Sequence, residues 1–252
     1  MVFDSSVNQG AGLQQIGLQM TPRVIAMASH GNQQGELPLL WSLCSTLVEL
    51  GYSVAVLDAH TSESADNLGL EQLLEGAHWP NDRLSESDSW SVIPAAHGLR
   101  NLAARWAETD RPLAPLCGRL GNYGVIVIYA RADTLVHLLP GTGIEPLLTV
   151  SPLKMSSVTA YQSLKQMLLN AGLRPTVAHI ALNSSARSQP ATHSTVQKLQ
   201  ECSLMFLGYR VEALTIRAGD DEERIADDVH RLTLRLLENA MPLHRHQLGG
   251  SL

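Results

Sequence analysis

A glycine-containing loop between a strand and a helix is the segment whose residues could do chemistry. The apolar run that starts at Val24 leads into a loop around Gly31 and Gly35, and an apolar helix follows. In nucleotide-binding proteins such a loop cradles phosphates, with a lysine after the second glycine and an adjacent serine or threonine for Mg²⁺. Those two positions hold Glu36 and Leu37 here. Because a carboxylate repels a polyphosphate and a leucine cannot bind a metal, the segment predicts a nucleotide-binding scaffold without catalysis.

The elements that must position this loop alternate between strand and helix. Most predicted strands are short apolar runs without alternation, which is typical of strands covered on both faces. The predicted strands are 23–28, 53–58, 90–93, 124–129, 146–150, 177–182 and 210–214. The predicted helices are 36–50, 67–75, 96–108, 156–171, 191–205 and 221–240. This repetition predicts an α/β fold, a doubly wound, mostly parallel sheet with helices on both faces.

Chain length and composition favour one folded domain. With 252 residues and a hydrophobic fraction of 44%, the chain can bury a large core. We expect a flexible N-terminal partner-binding segment over 1–21, an α/β domain over 22–241 and a flexible tail over 242–252. The stretches 76–90 and 109–122 carry the Gly, Pro, Asp and Ser residues of connections.

Charge and cysteine usage exclude several classes of protein. The formal net charge of −6 argues against nucleic acid as the main partner, because a phosphate backbone needs a basic face. The cysteines lack C-x-x-C spacing, and His30 and His60 lack the spacing of a metal pair, so no metal site is expected. No signal peptide is recognisable, and no stretch reaches the roughly 18 apolar residues of a membrane span. We therefore expect a cytoplasmic protein.

The glycine loop and its helix resemble the MinD/ParA family of P-loop ATPases. The segment from Ser29 to Gly51 aligns without a gap to the family pattern S-G-K-G-G-V-G-K-T…A-L-A-E-L-G. In this alignment the family's first lysine falls on Gly31, its P-loop lysine on Glu36 and its Mg²⁺-binding threonine on Leu37. The resemblance implies a P-loop NTPase fold whose nucleotide site is degenerate.

Further segments extend the resemblance over residues 22–215. Asp58-Ala-His60 is similar to the family's D-A-D, and Tyr129 stands where the family has its metal- and water-positioning Asp. Asn183 matches the asparagine that reads adenine. The resemblance implies no catalytic residue and no cofactor, with weak ATP or ADP binding left open. The implied degenerate nucleotide site consists of Gly31, Gly35, Glu36, Leu37, Asp58, Tyr129 and Asn183.

One branch of the family, the FlhG/FleN flagellar-number regulators, is the most similar. It carries an N-terminal D-Q-A-x-x-L-R segment, and this chain has N-Q-G-A-G-L-Q in that place. The resemblance implies that Gln9 enters the active site of a partner GTPase of the FlhF type, with Asn8, Leu13 and Gln14 as further partner-binding residues. The Asp-to-Asn8 and Arg-to-Gln14 changes remove two charges, and a polar leader without a partner is the alternative interpretation.

Three interpretations concern side chains around the loop and at the chain's end. Glu36 is expected to cap its own helix, where the dipole favours a negative charge. Asp58 is interpreted as a turn residue, and Arg131 as part of a surface salt bridge. The helix predicted over 221–240 mixes acidic and basic residues, so we expect it to dock on the domain's own sheet.

Together these features predict a non-catalytic regulator, a pseudo-ATPase that is not expected to be an enzyme. It would act in flagellar placement or number through a protein partner such as an FlhF-type GTPase, with at most weak membrane contact. One alternative is a ParA-like ATPase that still binds or slowly hydrolyses ATP. Another is a ParA-like accessory protein of cellulose or polysaccharide secretion. The oligomeric state is left open.

Overall fold

A computed structural model describes the chain over residues 21–30, 33–77, 90–105, 112–153, 155–182, 195–218 and 222–243. Its centre is an eight-stranded sheet. The strands are β1 (Arg23–Ser29), β2 (Val54–Asp58), β3 (Trp90–Pro94), β4 (Val125–Arg131), β5 (Leu147–Val150), β6 (Thr176–Leu182), β7 (Ala213–Ala218) and β8 (Met241–Pro242).

The strand order is β3-β2-β4-β1-β5-β6-β7, and all neighbours along this path are parallel. The two-residue β8 pairs antiparallel with the start of β1. Because parallel strands share one direction, their carboxyl ends lie along the same edge of the sheet. The chain order reverses around β1, between β4 and β5, which is where ligands of open α/β sheets bind. The predicted doubly wound, mostly parallel sheet is confirmed.

Helices cover both faces of the sheet. They are α1 (Gln33–Glu49), α2 (Leu70–Glu75), α3 (Ala96–Ala104), α4 (Ala114–Arg119), α5 (Ala132–Leu138), α6 (Ser156–Ala171), α7 (Thr195–Leu207) and α8 (Glu222–Glu238). Alternate residues of β1 point to opposite faces. Ile25 and Met27 join the apolar cluster under α1 and α8, whereas Ala26 and Ala28 join the cluster under α3, α6 and α7. The site-bearing loop is therefore anchored on a strand packed from both sides.

Several element boundaries differ from the predicted ones. The first helix begins at Gln33 rather than at residue 36, so Pro38 lies inside it. The helices α4 and α5 were not predicted. The last long strand covers Ala213–Ala218 rather than 210–214. This strand lies at the end of the sheet and alternates, with Ile216 buried and its neighbours more exposed, so it lacks the continuous apolar run used to find the others.

The folded body extends beyond the predicted boundary at residue 241. Pro242 pairs with Arg23 across β8 and β1, and the Leu243 amide donates to the Pro22 carbonyl at 2.8 Å. Leu243 is buried in the core. The predicted flexible tail therefore loses its first two residues to the folded body, because β8 needs β1 as its pairing partner. Residues 1–20 and 244–252 lie outside the described ranges.

The last helix docks on the sheet, as predicted from its charges. Val229, Leu232 and Leu236 of α8 are buried in the same cluster as Ile25 and Met27. Burial of this apolar stripe against the domain uses the face that a membrane-surface helix would need. Within the described ranges, no helix combines the length and the apolar character needed to cross a membrane.

Candidate functional site

The described residues of the predicted site lie at the carboxyl ends of the central strands, where the chain order reverses. His30 follows β1 directly, Glu36 lies in the first turns of α1, and Tyr129 lies near the end of β4. The register of the parallel strands pairs Met27 with Tyr129, so the end of β4 lies beside the end of β1. The three side chains therefore meet in one crevice although they come from different elements.

The Glu36 carboxylate is fully buried and turns back from its helix toward the sheet. The Tyr129 hydroxyl donates to Glu36 Oε2 at 2.6 Å, and the His30 amide donates to Glu36 Oε1 at 3.1 Å. The Nε2 atom of His30 lies 3.4 Å from Oε1. A buried carboxylate needs such donors, because an unpaired one would pay the full desolvation penalty. These contacts join Glu36 to a tyrosine of β4 and to the loop that precedes its helix, and the expected capping of that helix stays a prediction.

Tyr129 is the principal donor to this carboxylate. Its ring is buried, and burial raises its pKa above the ordinary value of 10.0, with further increases from the hydrogen bond and the charge of Glu36. The nearby Ser29 hydroxyl acts in the opposite direction on this pKa. The buried Ser29 Oγ has no hydrogen-bond partner among the described residues. The phenol stays protonated at neutral pH and donates to Glu36.

His30 connects the end of β1 to β5 and α6. Its Nε2 atom lies 2.8 Å from the Thr149 carbonyl oxygen, and its Nδ1 atom lies 2.9 Å from Thr159 Oγ1. A carbonyl oxygen only accepts, so Nε2 carries a hydrogen. Nδ1 then accepts from the Thr159 hydroxyl or, in the imidazolium, donates to it. In either state the imidazole is held on both of its nitrogens.

Gly35 and Leu37 lie within the first turns of α1. Gly35 is the third residue of this helix rather than part of the loop that precedes it. The Leu37 side chain packs on the apolar cluster beneath α1 and α8. Gly31 lies outside the described residues. The predicted placement of Gly35 in the loop is corrected, because the helix begins two residues before it.

Asp58 has the geometry of a turn residue at the end of β2. Its carboxylate accepts the His60 amide at 2.9 Å and the Thr61 hydroxyl at 2.7 Å. These contacts are those of an Asx turn, in which a carboxylate replaces a backbone acceptor. The His60 ring lies 5.0 Å from the Tyr129 ring, centroid to centroid, at the same edge.

Other predicted residues at this edge play separate parts. Arg131 pairs with Asp133 at 3.1 Å on the surface, as the sequence indicated. The described ranges contain no group of three or more His, Cys, Asp or Glu residues that could hold a metal ion. Asn183 follows the end of β6 but lies outside the described residues, as do the predicted partner-binding residues Asn8, Gln9, Leu13 and Gln14.

His30, Thr149 and Thr159 were not assigned to the site from the sequence. Thr149 is a buried polar residue inside the apolar strand β5, and that unusual placement was a signal that could have found it. Thr159 lies in the first turn of α6, where its hydroxyl also contacts the carbonyls of Met155 and Ser156. Neither threonine has a sequence spacing that links it to His30, because the contacts cross more than a hundred positions of chain.

Apart from Ser29 Oγ, the polar groups described in this cluster have protein partners. The Glu36 oxygens accept from protein donors, the Tyr129 hydroxyl is a donor to Glu36, and the His30 nitrogens are both engaged. A general base or a nucleophile needs a reactive atom that can reach a substrate. This crevice instead joins β1, α1, β4, β5 and α6 through side-chain contacts.

Comparisons with known proteins identify the fold but no closer relationship. The MinC:MinD cell division protein complex of Aquifex aeolicus has a TM-score of 0.56 at 15% identity, with 88% of this chain and 99% of that chain covered. Cobyrinic acid a,c-diamide synthase of Mycobacterium smegmatis, with bound ADP and magnesium, has a TM-score of 0.54 at 16% identity, with coverages of 86% and 94%. A plasmid partition protein of Borrelia burgdorferi has a TM-score of 0.50 at 14% identity, with coverages of 85% and 99%.

No protein-family model matches this sequence, and no curated protein matches it significantly. At such low identities, the structural likeness shows the fold alone. The chain has the fold of the MinD/ParA-type P-loop NTPases. What the fold does in this protein has to be argued from the crevice described above.

Proposed function

We propose that this protein is a non-catalytic regulator with a MinD/ParA-type fold, a pseudo-ATPase that acts by binding other proteins. The observation that carries the proposal is the 2.6 Å hydrogen bond between Tyr129 and Glu36. These are the two positions at which the resembling family has its water-positioning Asp and its P-loop lysine. Here the two replacements bind each other.

A nucleotide would meet unfavourable chemistry in this crevice. A polyphosphate at the start of α1 would be repelled by the buried Glu36 carboxylate, and the repulsion is strong where water is excluded. Displacing Glu36 would also strip it of the donors from Tyr129 and His30. Loss of one preorganised electrostatic contact costs about 3–4 kcal/mol of transition-state stabilisation in typical enzymes. The crevice therefore favours a protein that holds one state without nucleotide.

The role we propose is regulation of flagellar placement or number, through a partner such as an FlhF-type GTPase. It is supported by the similarity of residues 8–14 to the N-terminal segment of the FlhG/FleN branch. The MinC:MinD complex shows a protein of this fold assembled with another protein. In this proposal Gln9 reaches the partner's active site, and the body serves as a scaffold of fixed conformation.

Titration calorimetry with Mg²⁺-ATP and Mg²⁺-ADP tests the absence of nucleotide binding. We expect no binding to the full chain at millimolar nucleotide, because Glu36 occupies the lysine position. The matched comparison is the triple variant Glu36→Lys, Leu37→Thr and Tyr129→Asp, which restores the family's residues at these positions. Micromolar binding by the unaltered chain would contradict the proposal and support the ATP-binding alternative.

Substitution of Gln9 tests the partner-binding role separately. With an FlhF-type GTPase as partner, we expect Gln9→Ala to abolish stimulation of GTP hydrolysis, because the side chain would supply the contact made inside the partner's site. Gln15→Ala, a few positions along the same segment, serves as the control and should leave stimulation intact. Stimulation that survives Gln9→Ala would remove this role. Co-purification of a polysaccharide synthase in place of a GTPase would favour the secretion alternative.

A further inference from the structure

An exposed apolar surface lies at the end of α7, far from the crevice. Met205 is 75% exposed and Phe206 67% exposed, and the adjacent Leu204 is also exposed. Leu169, near the end of the neighbouring helix α6, is exposed at the same edge of the sheet. We call Leu169, Leu204, Met205 and Phe206 the α7 patch. Large exposed apolar side chains at one edge of a domain are a feature of binding surfaces, and Met205 and Phe206 are the most exposed of these four.

The α7 patch and the crevice lie at opposite edges of the sheet. The helices α6 and α7 each follow a parallel strand and lead into the next one, so both end at the edge where strands begin. The crevice lies where the strands end. A ligand or partner at the Glu36 crevice therefore does not cover the patch, and a different occupant is required.

Residues 1–20 leave the folded body at the edge that carries the patch. Thr21 and Pro22 precede β1, so this segment joins the body where β1 begins. From β1 to β7 there are three strand spacings, about 14 Å, and a helix layer lies about 10 Å from the sheet. At about 3.4 Å per extended residue, five residues or slightly more span that distance. Ile16 and the residues before it are therefore within reach of the patch.

The composition of this segment suits an apolar surface. Asp4 is its only charged residue, so docking would bury almost no charge. Leu13 and Ile16 are spaced i, i+3, which places both side chains on one face of a single helical turn. Residues 17–20 lie between that turn and Thr21, and an extended chain of this length spans the distance to α7.

We propose that the N-terminal segment of this chain docks on the α7 patch through Leu13 and Ile16. The docked segment covers Met205 and Phe206 and holds Gln9 close to the body. A partner that engages Gln9 must then compete with the patch for the same segment. The intramolecular contact itself does not depend on the proposed function, so it can be present even if no GTPase is bound.

Cys202 is a native reporter of the patch. It lies three and four positions before Met205 and Phe206, so the three side chains share one helix face. Cys202 is partly exposed, whereas Cys44 and Cys117 are buried. Burial also raises the pKa of the Cys44 thiol to about 12, which keeps it unreactive at neutral pH. The rate at which Ellman's reagent modifies the native full chain therefore reports the cover over Cys202.

The experiment compares the full chain with the double variant Leu13→Ser and Ile16→Ser. If the docked form is favoured about tenfold, modification of Cys202 should be about tenfold faster in the variant, because the rate follows the undocked population. Leu18→Ser, in the same segment but off the Leu13 face, is the control and should modify at the unaltered rate.

Two outcomes would overturn the proposal. Equal rates in the unaltered chain and the double variant would show that the segment does not cover the patch. A rate for the unaltered chain that rises on dilution would show that a second copy of the protein covers it instead. The supporting result is faster modification of the double variant at every protein concentration, with the control unchanged.

Discussion

The surroundings of Glu36 show how a buried carboxylate is stabilised at the position that aligns with the P-loop lysine of the resembling family. A phenol hydroxyl and a backbone amide donate to the buried carboxylate, and an imidazole nitrogen lies 3.4 Å away. The free-energy cost of breaking such a contact depends on whether one partner or both are removed. Removing one donor leaves a buried acceptor unsatisfied, whereas removing both partners leaves apolar surfaces that can pack.

We expect Tyr129→Phe to lower the free energy of unfolding by about 1–3 kcal/mol, the usual range for leaving a buried polar group without its partner. The ring remains, so apolar packing is retained and the loss reports the hydroxyl. Urea denaturation followed by circular dichroism measures the change.

Tyr161→Phe is the control for this prediction, because that phenol lies on α6 and packs at the edge of the other apolar cluster. The double variant Glu36→Leu and Tyr129→Phe should lose less stability than the sum of its single variants, since it removes both partners. Additive losses, or a Tyr129→Phe variant as stable as the unaltered chain, would show that the pair is not coupled.

The sequence identified Glu36 and Tyr129 as unusual residues but did not predict that they touch. Their contact joins positions 93 residues apart and depends on the register of β4 against β1. Only the assembled sheet defines that register, because apolar runs without alternation leave it unspecified. Asp58 needed no such information, since its partners His60 and Thr61 follow it directly in the chain.

At the level of secondary-structure elements, a second buried carboxylate determines how α3 begins. Both Glu63 oxygens accept backbone amides at the start of this helix, from His97 and Gly98, each at 2.8 Å. A negative charge here satisfies free amides and complements the helix dipole. At Gly98 an added Cβ would lie 2.7 Å from the Leu70 side chain, so α2 and α3 pack closely beside this cap.

Glu63→Gln should lower the free energy of unfolding by about 0.5–2 kcal/mol, the range measured for the loss of helix N-caps. The amide keeps one acceptor oxygen but loses the second acceptor and the charge. Glu75→Gln, at the exposed end of α2, removes a charge without a helix cap and should change stability by far less. Thermal unfolding of the two variants side by side measures the difference. Equal effects would mean that the Glu63 contacts do not stabilise α3.

Elements with strong periodicity or continuous apolar runs could be predicted from the sequence, and others could not. The bounds of α6 match the prediction at both ends, with Gly172 in the left-handed conformation after its last turn. The helix α5 was missed because it begins at Ala132, directly after β4, with no turn residue or side-chain cap to announce it. Such an abrupt change from strand to helix depends on packing against the sheet rather than on local signals.

For the molecule as a whole, the pH dependence of stability includes a contribution from a half-buried histidine of the sheet. His179 lies in β6 between β5 and β7, and burial lowers its pKa below the ordinary value of 6.5. Near and just below that pH, the unfolded chain therefore binds more protons at this position than the folded chain. By linkage, this contribution to stability is present above about pH 6.5 and is lost as the pH falls.

We accordingly expect the free energy of unfolding to fall as the pH is lowered from 7.5 to 5.5. The fall should be shallower in His179→Gln, because that variant lacks the contribution of this histidine. Urea denaturation across this range measures both slopes. A steeper decline in the His179 variant would mean that the residue is stabilised by its charge in the folded state.

The short pairing between β8 and β1 brings the two ends of the folded body together. Pro22 and Leu243 are joined by a backbone hydrogen bond, although nearly the whole domain separates them along the chain. A short peptide could connect them without disturbing either apolar layer. Because its two ends lie side by side, the domain could be circularly permuted. The present ends would be joined, and new termini would be opened at an exposed turn such as that of Gly141.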